Sequence, residues 1–314
     1  MFDAEKFVET AVERIRKEVK GRAIIAVSGG IDSSVAAKIA SIALGKNMLA
    51  VYVDTGLMRE GESEEVKKFY EKMGINFLFV DASKEFINAL KGVSDPEEKR
   101  KIIGEKFIRI FEEIAKKENA EYLIQGTIAP DWIESGGGLR DRIKSHHNVA
   151  GLPEKISFKI VEPLRDLYKD EVRKVAKYLG IEIHERQPFP GPGLAVRVVG
   201  GIDEEKIKIV RKACKIVEEE IENFCQERKM DKPWQYFAVL LPVRSVGVHG
   251  DRRAYGYTIA IRSVDSSDAM TASYSKLPHE LLEKIASRIV NEIKDVNRVV
   301  YDISNKPPAT IEWE

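Results

Sequence analysis

The sequence has only two cysteines in 314 residues, Cys214 and Cys225. They are eleven positions apart in one predicted helix, which places them roughly 16 Å apart at about 1.5 Å per residue. We expect no disulfide between them, because the Cα atoms of bonded cysteines lie within about 7 Å of each other. So little cysteine is typical of a protein from a reducing compartment.

The sequence also lacks a long apolar run and an excess of charge of one sign. No segment reaches the roughly 20 apolar residues that cross a bilayer, and the amino end is an amphipathic charged helix pattern without a signal-peptide core. Lys and Arg number 51, as do Asp and Glu, whereas nucleic-acid-binding proteins are usually basic. We therefore expect a cytoplasmic protein that has no membrane or nucleic-acid partner.

The sequence does contain short apolar runs that alternate with helical patterns, in which apolar residues recur every three or four positions. The predicted strands are 23–28, 48–54, 77–81, 122–128 and 158–162, and the predicted helices are 33–44, 62–73, 97–118 and 168–179. Strands that alternate with helices form a parallel sheet through right-handed crossovers. The pattern predicts an α/β fold with a doubly wound parallel sheet, whose ligands bind at the carboxyl ends of the strands.

The order of elements changes after RQPFPGPGLAVR, residues 186–197, where three prolines and two glycines exclude a helix or a central strand. Clusters of this kind are usually connectors. Beyond it the pattern predicts a helix, two strands, a helix and a strand, at 203–226, 237–245, 254–264, 279–293 and 296–303. We expect two domains, the doubly wound 1–186 and a smaller α+β module at 187–314.

The stretch SGGIDSS, residues 28–34, joins the first predicted strand to the next helix. It is not a Walker A loop, since Gly-Lys-Ser/Thr is missing, and it is not GxGxxG. Its glycines permit a backbone with positive φ, and its serines offer donors at a helix N-terminus, where phosphate binds. Asp32 beside a phosphate would need Mg²⁺ between them. Alternatively, Asp32 caps the helix and the stretch is only a tight turn.

Two more loops follow strands at the same predicted sheet edge. In VDTGLMR, Asp54 suits a ribose hydroxyl or Mg²⁺, although an ordinary turn fits this residue equally well. In QGTIAPDWIESGGG, Gly126 lets a ligand approach the backbone closely, and Asp131 and Glu134 add two carboxylates. The alternative for this second loop is a solvated connection.

The glycine triplet opens a segment without apolar periodicity up to about residue 157, and long loops of this kind are usually lids or disordered. Lys144 on such a lid could neutralise charge on a transferring phosphate, or it is simply a surface lysine. The adjacent His146 and His147 are poor candidates for zinc ligands, because neighbouring residues seldom converge on one ion and no further His or Cys lies at ligand spacing.

The carboxyl terminus, NRVVYDISNKPPATIEWE, runs from an apolar strand through two prolines to a tryptophan, unlike the polar, frayed end of most chains. We expect this tail to dock, which either serves packing alone or also fixes Lys306, Thr310 and Glu312 as ligand-binding groups. In VGVHGDRRAYGY, a turn carries Asp251 and Arg253. This turn is an exposed charged hairpin or an anion site, for which arginine is well suited.

Together these motifs resemble those of the GMP synthetases, which are N-type ATP pyrophosphatases, over nearly the whole chain. The strings that carry the resemblance are SGGIDSS, GTIAPDWIES, KSHHN, EPLRDLYKDEVR, PFPGPGLAVR, GDRRAYGY and KPPATIEWE. The resemblance implies that ATP adenylates the 2-oxygen of xanthosine monophosphate (XMP), pyrophosphate leaves, and ammonia displaces AMP to give GMP. It also implies a homodimer formed through the second domain.

Carried over by position, the resemblance gives three groups of residues. Those implied to bind ATP are Ser28, Gly29, Gly30, Ile31, Asp32, Ser33, Ser34, Val53 and Gly126, with Asp32 also at Mg²⁺. Those implied to act in catalysis are Asp32, Lys144, Asp131 and Glu134. Those implied to bind XMP are Arg100, Asp251, Arg253, Lys306, Thr310 and Glu312.

One departure from the resemblance concerns glutamine. The common form of this synthetase begins with a glutamine amidotransferase domain, whereas this chain starts at the ATP domain and neither cysteine lies in a nucleophile-like context. We expect the chain to accept free ammonia, and to take nitrogen from glutamine only with a separate glutamine amidotransferase subunit.

Two other functions stay open at this point. The same adenylation could serve another acceptor, as in NAD synthetase or tRNA-thiolating enzymes, although the neutral charge speaks against tRNA and the lack of a cysteine nucleophile speaks against thiolation. Alternatively, the protein is a nucleotide-binding sensor or an RNA-binding module that holds ATP without splitting it.

Overall fold

The computed structural model describes residues 2–129, 158–182, 187–249, 252–267 and 269–314. The chain forms two compact units. The first comprises Met1–Asp54, Glu64–Asp81 and Gly104–Glu185, and the second comprises Thr55–Ser63, Ala82–Ile103 and Arg186–Glu314. Two short segments from the first half of the chain therefore pack with the carboxyl-terminal part. None of the described helices is long and apolar enough to cross a membrane.

The first unit is built on a five-stranded sheet. Its strands are β1 (Arg22–Ala26), β2 (Met48–Asp54), β3 (Phe77–Asp81), β4 (Ala120–Ile124) and β5 (Lys159–Val161). They lie in the order β3-β2-β1-β4-β5, and every neighbouring pair is parallel. The predicted parallel sheet is confirmed, and each of its five predicted strands is present.

Six helices are described before residue 182. They are α1 (Ala4–Glu18), α2 (Ile31–Leu44), α3 (Glu62–Met73), α4 (Ser83–Leu90), α5 (Pro96–Lys117) and α6 (Lys169–Tyr178). In α1, Asp3 caps the first turn by accepting a hydrogen bond from the Lys6 N–H at 3.1 Å, and the buried residues recur at helical spacing. The spacing of apolar residues in the sequence does not predict α4. This helix has only eight residues and buries only Phe86 and Leu90, which is too few to show a helical repeat.

The sheet of the first unit is buried on both faces. Ala23 and Ile25 belong to a core cluster that also contains the buried residues of α1, α2 and α6. Ile24 and Leu123 point to the opposite face and are buried too. Continuous apolar runs, as in β1 and β2, are what a parallel sheet covered on both faces requires.

The second unit is built on a four-stranded sheet, and it contains α4 and two helices that follow the proline-rich stretch. Its elements after the proline-rich stretch are α7 (Glu204–Arg228), β6 (Gln235–His249), β7 (Arg252–Asp265), β8 (Ser273–Tyr274), α8 (His279–Glu292) and β9 (Val296–Tyr301). Strands β6 and β8 are antiparallel to β7, while β9 is parallel to it. The predicted α+β module is confirmed.

The proline-rich stretch ends in a 3₁₀ turn, Gly193–Arg197, whose five residues are all buried. Gly193 has φ +62°, and a Cβ at this position would overlap the Leu57 carbonyl oxygen. The same oxygen accepts a hydrogen bond from the Leu194 N–H at 2.8 Å. This end of the stretch therefore packs inside the second unit instead of running over the surface as connectors usually do.

Candidate functional site

The loop between β1 and α2 lies where the strand order of the first sheet reverses. Strands β2 and β3 lie on one side of β1, and β4 and β5 lie on the other. In open α/β sheets, ligands bind at the carboxyl edge where the strand order reverses in this way. Ser28, Gly29 and Gly30 are exposed at this edge, so the predicted phosphate loop is accessible.

Gly29 shapes this loop. Its φ is +78°, a conformation that L-residues other than glycine seldom adopt. A Cβ at Gly29 would also lie 2.6 Å from Val66 Cγ2. Both the backbone angle and the space therefore require glycine at this position.

The serines of the loop hold its shape from within. Ser33 Oγ donates to the Gly30 carbonyl at 3.0 Å and accepts from the Ser28 N–H at 3.4 Å. Ser34 is buried, and its Oγ donates to the same carbonyl at 2.9 Å. Because the only hydroxyl hydrogen of Ser34 is used in that bond, Tyr70 Oη donates to Ser34 Oγ across their 2.8 Å separation. Burial raises the pKa of Tyr70, which keeps this donor protonated.

The first turn of α2 follows this loop at the carboxyl edge of the sheet. Gly30 is the N-cap and contributes no side-chain cap bond, and a helix start without such a cap offers its N–H groups and its partial positive charge to an anion. Asp32 and Ser33 lie in this turn and are partly exposed. The loop thus combines donors that suit a phosphate with one carboxylate.

The same loop offers oxygen ligands of the kind that bind Mg²⁺. Mg²⁺ in nucleotide sites is usually bound through one or two carboxylates, water and substrate phosphates, all of them oxygen ligands. Asp32 and the hydroxyls of Ser28 and Ser33 match that donor chemistry. No group of three or more His, Cys, Asp or Glu side chains that could hold a metal alone occurs in the described part of the chain. The residues therefore fit a magnesium ion shared with a phosphate.

The loop after β4 passes closely over the start of α2. A Cβ on Gly126 would lie 3.0 Å from three backbone atoms, Asp32 C, Ser33 Cα and Ser33 N. The sequence predicts a close approach of a ligand at Gly126, and the structure has a close approach of the α2 backbone there. The absence of a side chain at this glycine thus sets the position of the phosphate loop.

Gln125, next to Gly126, is a polar residue that the motifs do not single out. Its side chain is buried, with 9% exposed, and its Nε2 has no hydrogen-bond partner among the described residues. A buried amide without a partner is rare and requires an explanation. The sequence feature that could have identified Gln125 is a polar side chain directly after a buried strand. Val53, at the end of β2, is also buried.

Several predicted site residues lie outside the described residues. They are Asp131, Glu134, Lys144 and Asp251, together with His146 and His147. Their predicted roles stay predictions.

The predicted substrate residues of the carboxyl-terminal tail are held by a network inside the second unit. Glu312 forms a two-point ion pair with Arg197, with Nε to Oε2 at 3.1 Å and Nη2 to Oε1 at 2.9 Å. Gln235 Nε2 donates to the same Oε1 at 2.8 Å. Burial acts to lower the pKa of Arg197, but the Glu312 carboxylate outweighs it and the pKa lies above its ordinary value.

Lys306 and Thr310 also make contacts in this unit. Lys306 Nζ donates to the Ala269 carbonyl at 2.8 Å, and its backbone pairs with that of Ala272. The hydroxyl of Thr310 donates to the Glu312 carbonyl. The tail is docked, as predicted from its apolar sequence.

Arg100 and Arg253, the other described candidates for substrate binding, are partly or fully at the surface. Arg100 lies in the first turn of α5 and pairs with Glu97. Arg253 is exposed on β7, across from Val248 of β6. The structure brings Arg100 into the same unit as the tail, because residues 82–103 belong to that unit.

Three fully buried cations hold the tail and are absent from the predicted set: Lys99, Arg197 and Arg262. Arg262 donates to the carbonyl oxygens of Ile311 at 3.3 Å and Thr310 at 2.9 Å. Arg197 and Arg262 interrupt the apolar strings LAVRVV and IAIRSV. An arginine inside an apolar run predicts a buried ion pair or hydrogen-bond network, because a buried charge must be paired.

Lys99 fixes the end of the tail. It pairs with the side chain of Glu314 and donates to the Val198 carbonyl at 2.7 Å. The second carboxylate oxygen of Glu314 accepts from the Gly200 N–H at 3.0 Å. Burial lowers the pKa of Lys99. Its sequence context, EEKRK, looks like an ordinary charged helix start and gives no sign of this role.

The chain has relatives over its full length among the B subunits of GMP synthase (glutamine-hydrolysing). The relative from Thermoplasma acidophilum is 59% identical over 308 residues, 98% of this chain and 98% of the relative. Those of the same name from Methanopyrus kandleri and Pyrococcus horikoshii are 58% and 60% identical. These two matches span 100% and 99% of this chain and 100% of each relative.

Two family models match parts of the chain. The model described as GMP synthase C terminal domain matches residues 220–313, and the model described as NAD synthase matches residues 3–127. Among solved structures, the NH₃-dependent NAD synthetase from Campylobacter jejuni aligns at 17% identity with a TM-score of 0.46. That alignment covers 59% of this chain and 76% of the other.

Proposed function

The chain belongs to the family of the B subunits of glutamine-hydrolysing GMP synthase, and we propose that it converts XMP to GMP using ATP and ammonia. The strongest support is the identity of 58 to 60% with family members over almost the whole of both chains. The phosphate loop at the reversal of strand order supplies independent support.

The reaction needs ATP because the C2 oxygen of XMP, on a urea-like carbon, is a poor leaving group. Attack of this oxygen on the α-phosphorus of ATP breaks the bond between the α and β phosphates and releases pyrophosphate. Ammonia then attacks C2, and the oxygen departs as part of AMP. XMP, ATP and ammonia thus give GMP, AMP and pyrophosphate.

The loop at residues 28–34 is proposed to bind the phosphates of ATP. The N–H groups at the start of α2 favour negative charge, and such donors stabilise the departing pyrophosphate when they are already oriented. The loop is oriented by the bonds that Ser33 and Ser34 make to the Gly30 carbonyl. Ile31, Val53 and Gly126 would complete the nucleotide site.

We infer that Asp32, with the neighbouring hydroxyls, holds Mg²⁺ against the phosphates. A bound Mg²⁺ neutralises phosphate charge in reactions of this class. With the ion held between its carboxylate and the nucleotide, Asp32 would orient the phosphate groups without repelling them. Lys144, Asp131 and Glu134 are proposed to assist the same step.

XMP is proposed to bind to the second unit. The residues assigned to it are Arg100, Asp251, Arg253, Lys306, Thr310 and Glu312. ATP is proposed to bind within residues 1–186 and XMP mainly within residues 187–314. The segment at 82–103 adds Arg100 to the XMP side, since it packs with the second unit.

A separate glutamine amidotransferase subunit is proposed to supply ammonia. The printed name of the relatives combines glutamine hydrolysis with a subunit designation. Cys214 and Cys225, the only cysteines in the sequence, are both buried, and burial raises the pKa of both thiols. Glutaminase nucleophiles need an accessible thiolate, so glutamine hydrolysis is assigned to the partner. Reduced cysteines also agree with a cytoplasmic location.

A homodimer is proposed to form through the outer half of the β6–β7 hairpin. Val246 and Val248 are exposed there by 56% and 72%, and Tyr255, opposite Val246, is exposed by 62%. Cross-strand neighbours share one face of a sheet, so these three side chains form an apolar surface of the kind that marks interfaces, with Arg253 at its border opposite Val248. Sedimentation should give a dimer, and Val246→Asp should shift it to monomer, whereas Met230→Asp, an exposed control, should not.

The experiment that tests the proposed function follows AMP, pyrophosphate and GMP from ATP, Mg²⁺ and ammonium, with and without XMP. All three products should appear only with XMP. Asp32→Asn should reduce their formation by at least about tenfold. Asp170→Asn, which changes the equivalent second residue of α6, is the matched control and should retain activity.

NAD synthesis is the second candidate, because the NAD synthase model matches residues 3–127. Deamido-NAD should then replace XMP as the compound that triggers pyrophosphate release. Splitting of ATP without any dependence on XMP would contradict the proposed acceptor. Binding of ATP without AMP formation would contradict the adenylation itself.

A further inference from the structure

The charged side chain of Arg197 is entirely buried. It pairs with Glu312, one of the residues proposed to bind XMP. Its side chain is 0% exposed and that of Glu312 is 17% exposed. Burial of an arginine costs several kcal/mol unless its charge is paired with good geometry. The two-point contact with Glu312 supplies that geometry, and the Glu312 side chain stays partly exposed.

The guanidinium of Arg197 has little freedom to move. Its Cζ lies 4.1 Å from the centre of the Phe237 ring and 4.9 Å from that of Phe189. Its Nη1 donates to Cys214 Sγ at 3.8 Å. Aromatic contacts and a dry environment hold the guanidinium plane in one orientation, and a two-point pair transfers that orientation to the carboxylate.

Gln235 fixes the same carboxylate from a second side. Its Nε2 donates to Glu312 Oε1 at 2.8 Å and to the Pro188 carbonyl at 3.2 Å. Oε1 of Glu312 therefore has two donors, from Arg197 and Gln235, whereas Oε2 has one donor among the described residues, Arg197 Nε. Each carboxylate oxygen can accept two hydrogen bonds. One acceptor position on Oε2 is thus left for a further donor.

We propose that Arg197 and Gln235 are positioning residues for XMP binding, which hold Glu312 so that Oε2 accepts one hydrogen bond from an N–H or O–H of the nucleotide. The inference depends on the proposed function. With its charge balanced by Arg197, Glu312 favours a neutral donor over a cation. Its fixed orientation means that binding does not have to order the side chain.

Arg197→Lys tests this proposal, because lysine keeps the charge but loses the planar two-point contact. XMP affinity is measured by calorimetry, and KM for XMP and for ATP by ammonia-dependent GMP formation. A hydrogen bond to a charged group is worth about 10-fold to 100-fold in affinity. We expect XMP binding to weaken by about tenfold, while KM for ATP is unchanged. Arg288→Lys, which alters an arginine paired with Glu219, Glu220 and Glu292, is the control.

A double-mutant cycle separates positioning from a general structural effect. In the Glu312→Gln background, Arg197→Lys should weaken XMP binding no further, because the residue through which it acts is already altered. A lower melting temperature with unchanged XMP affinity would overturn the proposal, as would additive effects in the cycle. If Arg197→Lys does not fold, Gln235→Met gives the same test, since it removes one donor from Oε1 and leaves the charges paired.

Failure of this inference is distinct from failure of the proposed function. An active wild-type enzyme with unchanged XMP affinity in Arg197→Lys and Gln235→Met would refute only the positioning role. A wild-type chain that forms no GMP from XMP, ATP and ammonia would refute the function, whatever the variants do.

Discussion

At the residue scale, glycines and buried polar groups shape the two candidate ligand-binding regions of this protein. Gly29 permits the turn that aims the phosphate loop, and Gly126 lets the loop after β4 lie against it. Arg197 and Lys99 hold carboxylates of the tail from inside the second unit. The effect of substituting such a residue on stability or ligand binding can be predicted from the atoms around it.

Gly29→Ala should destabilise the protein more than Gly61→Ala. Both glycines have φ +78°, a backbone angle that costs alanine about 1–2 kcal/mol. At Gly29 a Cβ would also meet Val66, whereas at Gly61 a Cβ would have no atom within 4 Å. The extra contact should add about 1–3 kcal/mol and weaken ATP binding. Equal unfolding free energies for the two variants, measured with denaturant, would contradict this explanation.

Tyr301 should make stability depend on pH in the alkaline range. Burial raises the pKa of Tyr301 from 10.0 to about 12, and its hydroxyl donates to the Ser275 carbonyl. Above pH 10 the unfolded chain loses this proton while the folded chain keeps it, so stability is full below pH 10 and falls as the pH rises towards 12. The stability advantage of wild type over Tyr301→Phe should shrink over this range. An advantage independent of pH would contradict the raised pKa.

At the scale of elements, the fold depends on two close contacts between segments distant in sequence. In the first unit, the loop after β4 crosses the start of α2. In the second unit, the end of the tail pairs with the start of α5 through Glu314 and Lys99. Each contact positions one of the candidate binding regions.

Gly126→Ala should move the start of α2 and impair the use of ATP. The added Cβ would meet three backbone atoms at 3.0 Å, and backbone cannot yield as the end of a side chain can. A misplacement of this kind reduces activity by tenfold or more, on the order of 10²-fold per ångström. Gly104→Ala, in α5, meets nothing within 4 Å and should stabilise the protein by about 0.5–1 kcal/mol. Kinetics with varied ATP and thermal unfolding of both variants test the pair.

Glu314→Leu should detach the end of the tail. It leaves the buried ammonium of Lys99 without its carboxylate, and the loss of one member of a buried pair costs about 3–5 kcal/mol. The double variant Lys99→Met with Glu314→Leu removes both charges and should recover most of that stability. A double variant as unstable as Glu314→Leu would mean that the ion pair is not the source of the effect.

At the scale of the whole molecule, the described chain has a loop that suits nucleotide phosphates, while both of its cysteines are buried. The balance of 51 basic and 51 acidic residues leaves no net charge to attract nucleic acid. These properties suit a synthetase subunit that receives ammonia from a partner.

The purified chain should make GMP with ammonium but not with glutamine. At a constant total concentration of ammonium, the rate should rise with pH, because neutral ammonia is the nucleophile. Addition of the glutamine amidotransferase subunit of a relative should restore the use of glutamine. Substantial glutamine-dependent GMP formation by the chain alone would contradict the assignment of glutamine hydrolysis to the partner.

Much of this architecture is determined by the sequence by itself. The continuous apolar runs of β1 and β2 and the helical spacing in α1 and α6 identify the parallel sheet, because burial on two faces and helical periodicity leave direct patterns. SGGIDSS predicts a loop between a strand and a helix because its glycines and serines are a local signal of their own, and the structure has that loop between β1 and α2. These are local signals, and the structure has the elements where the signals predict them.

What only the tertiary structure decided depends on contacts between distant residues. The burial of Lys99 opposite Glu314, the packing of residues 55–63 and 82–103 with the second unit, and the place of Arg197 beneath the tail have little or no local pattern. A short-range sequence pattern reports which face of an element is apolar, whereas the partner of a buried charge is set by the packing of the whole unit. The sequence therefore determined the elements and the phosphate loop, and the tertiary structure decided which charges hold the tail in place.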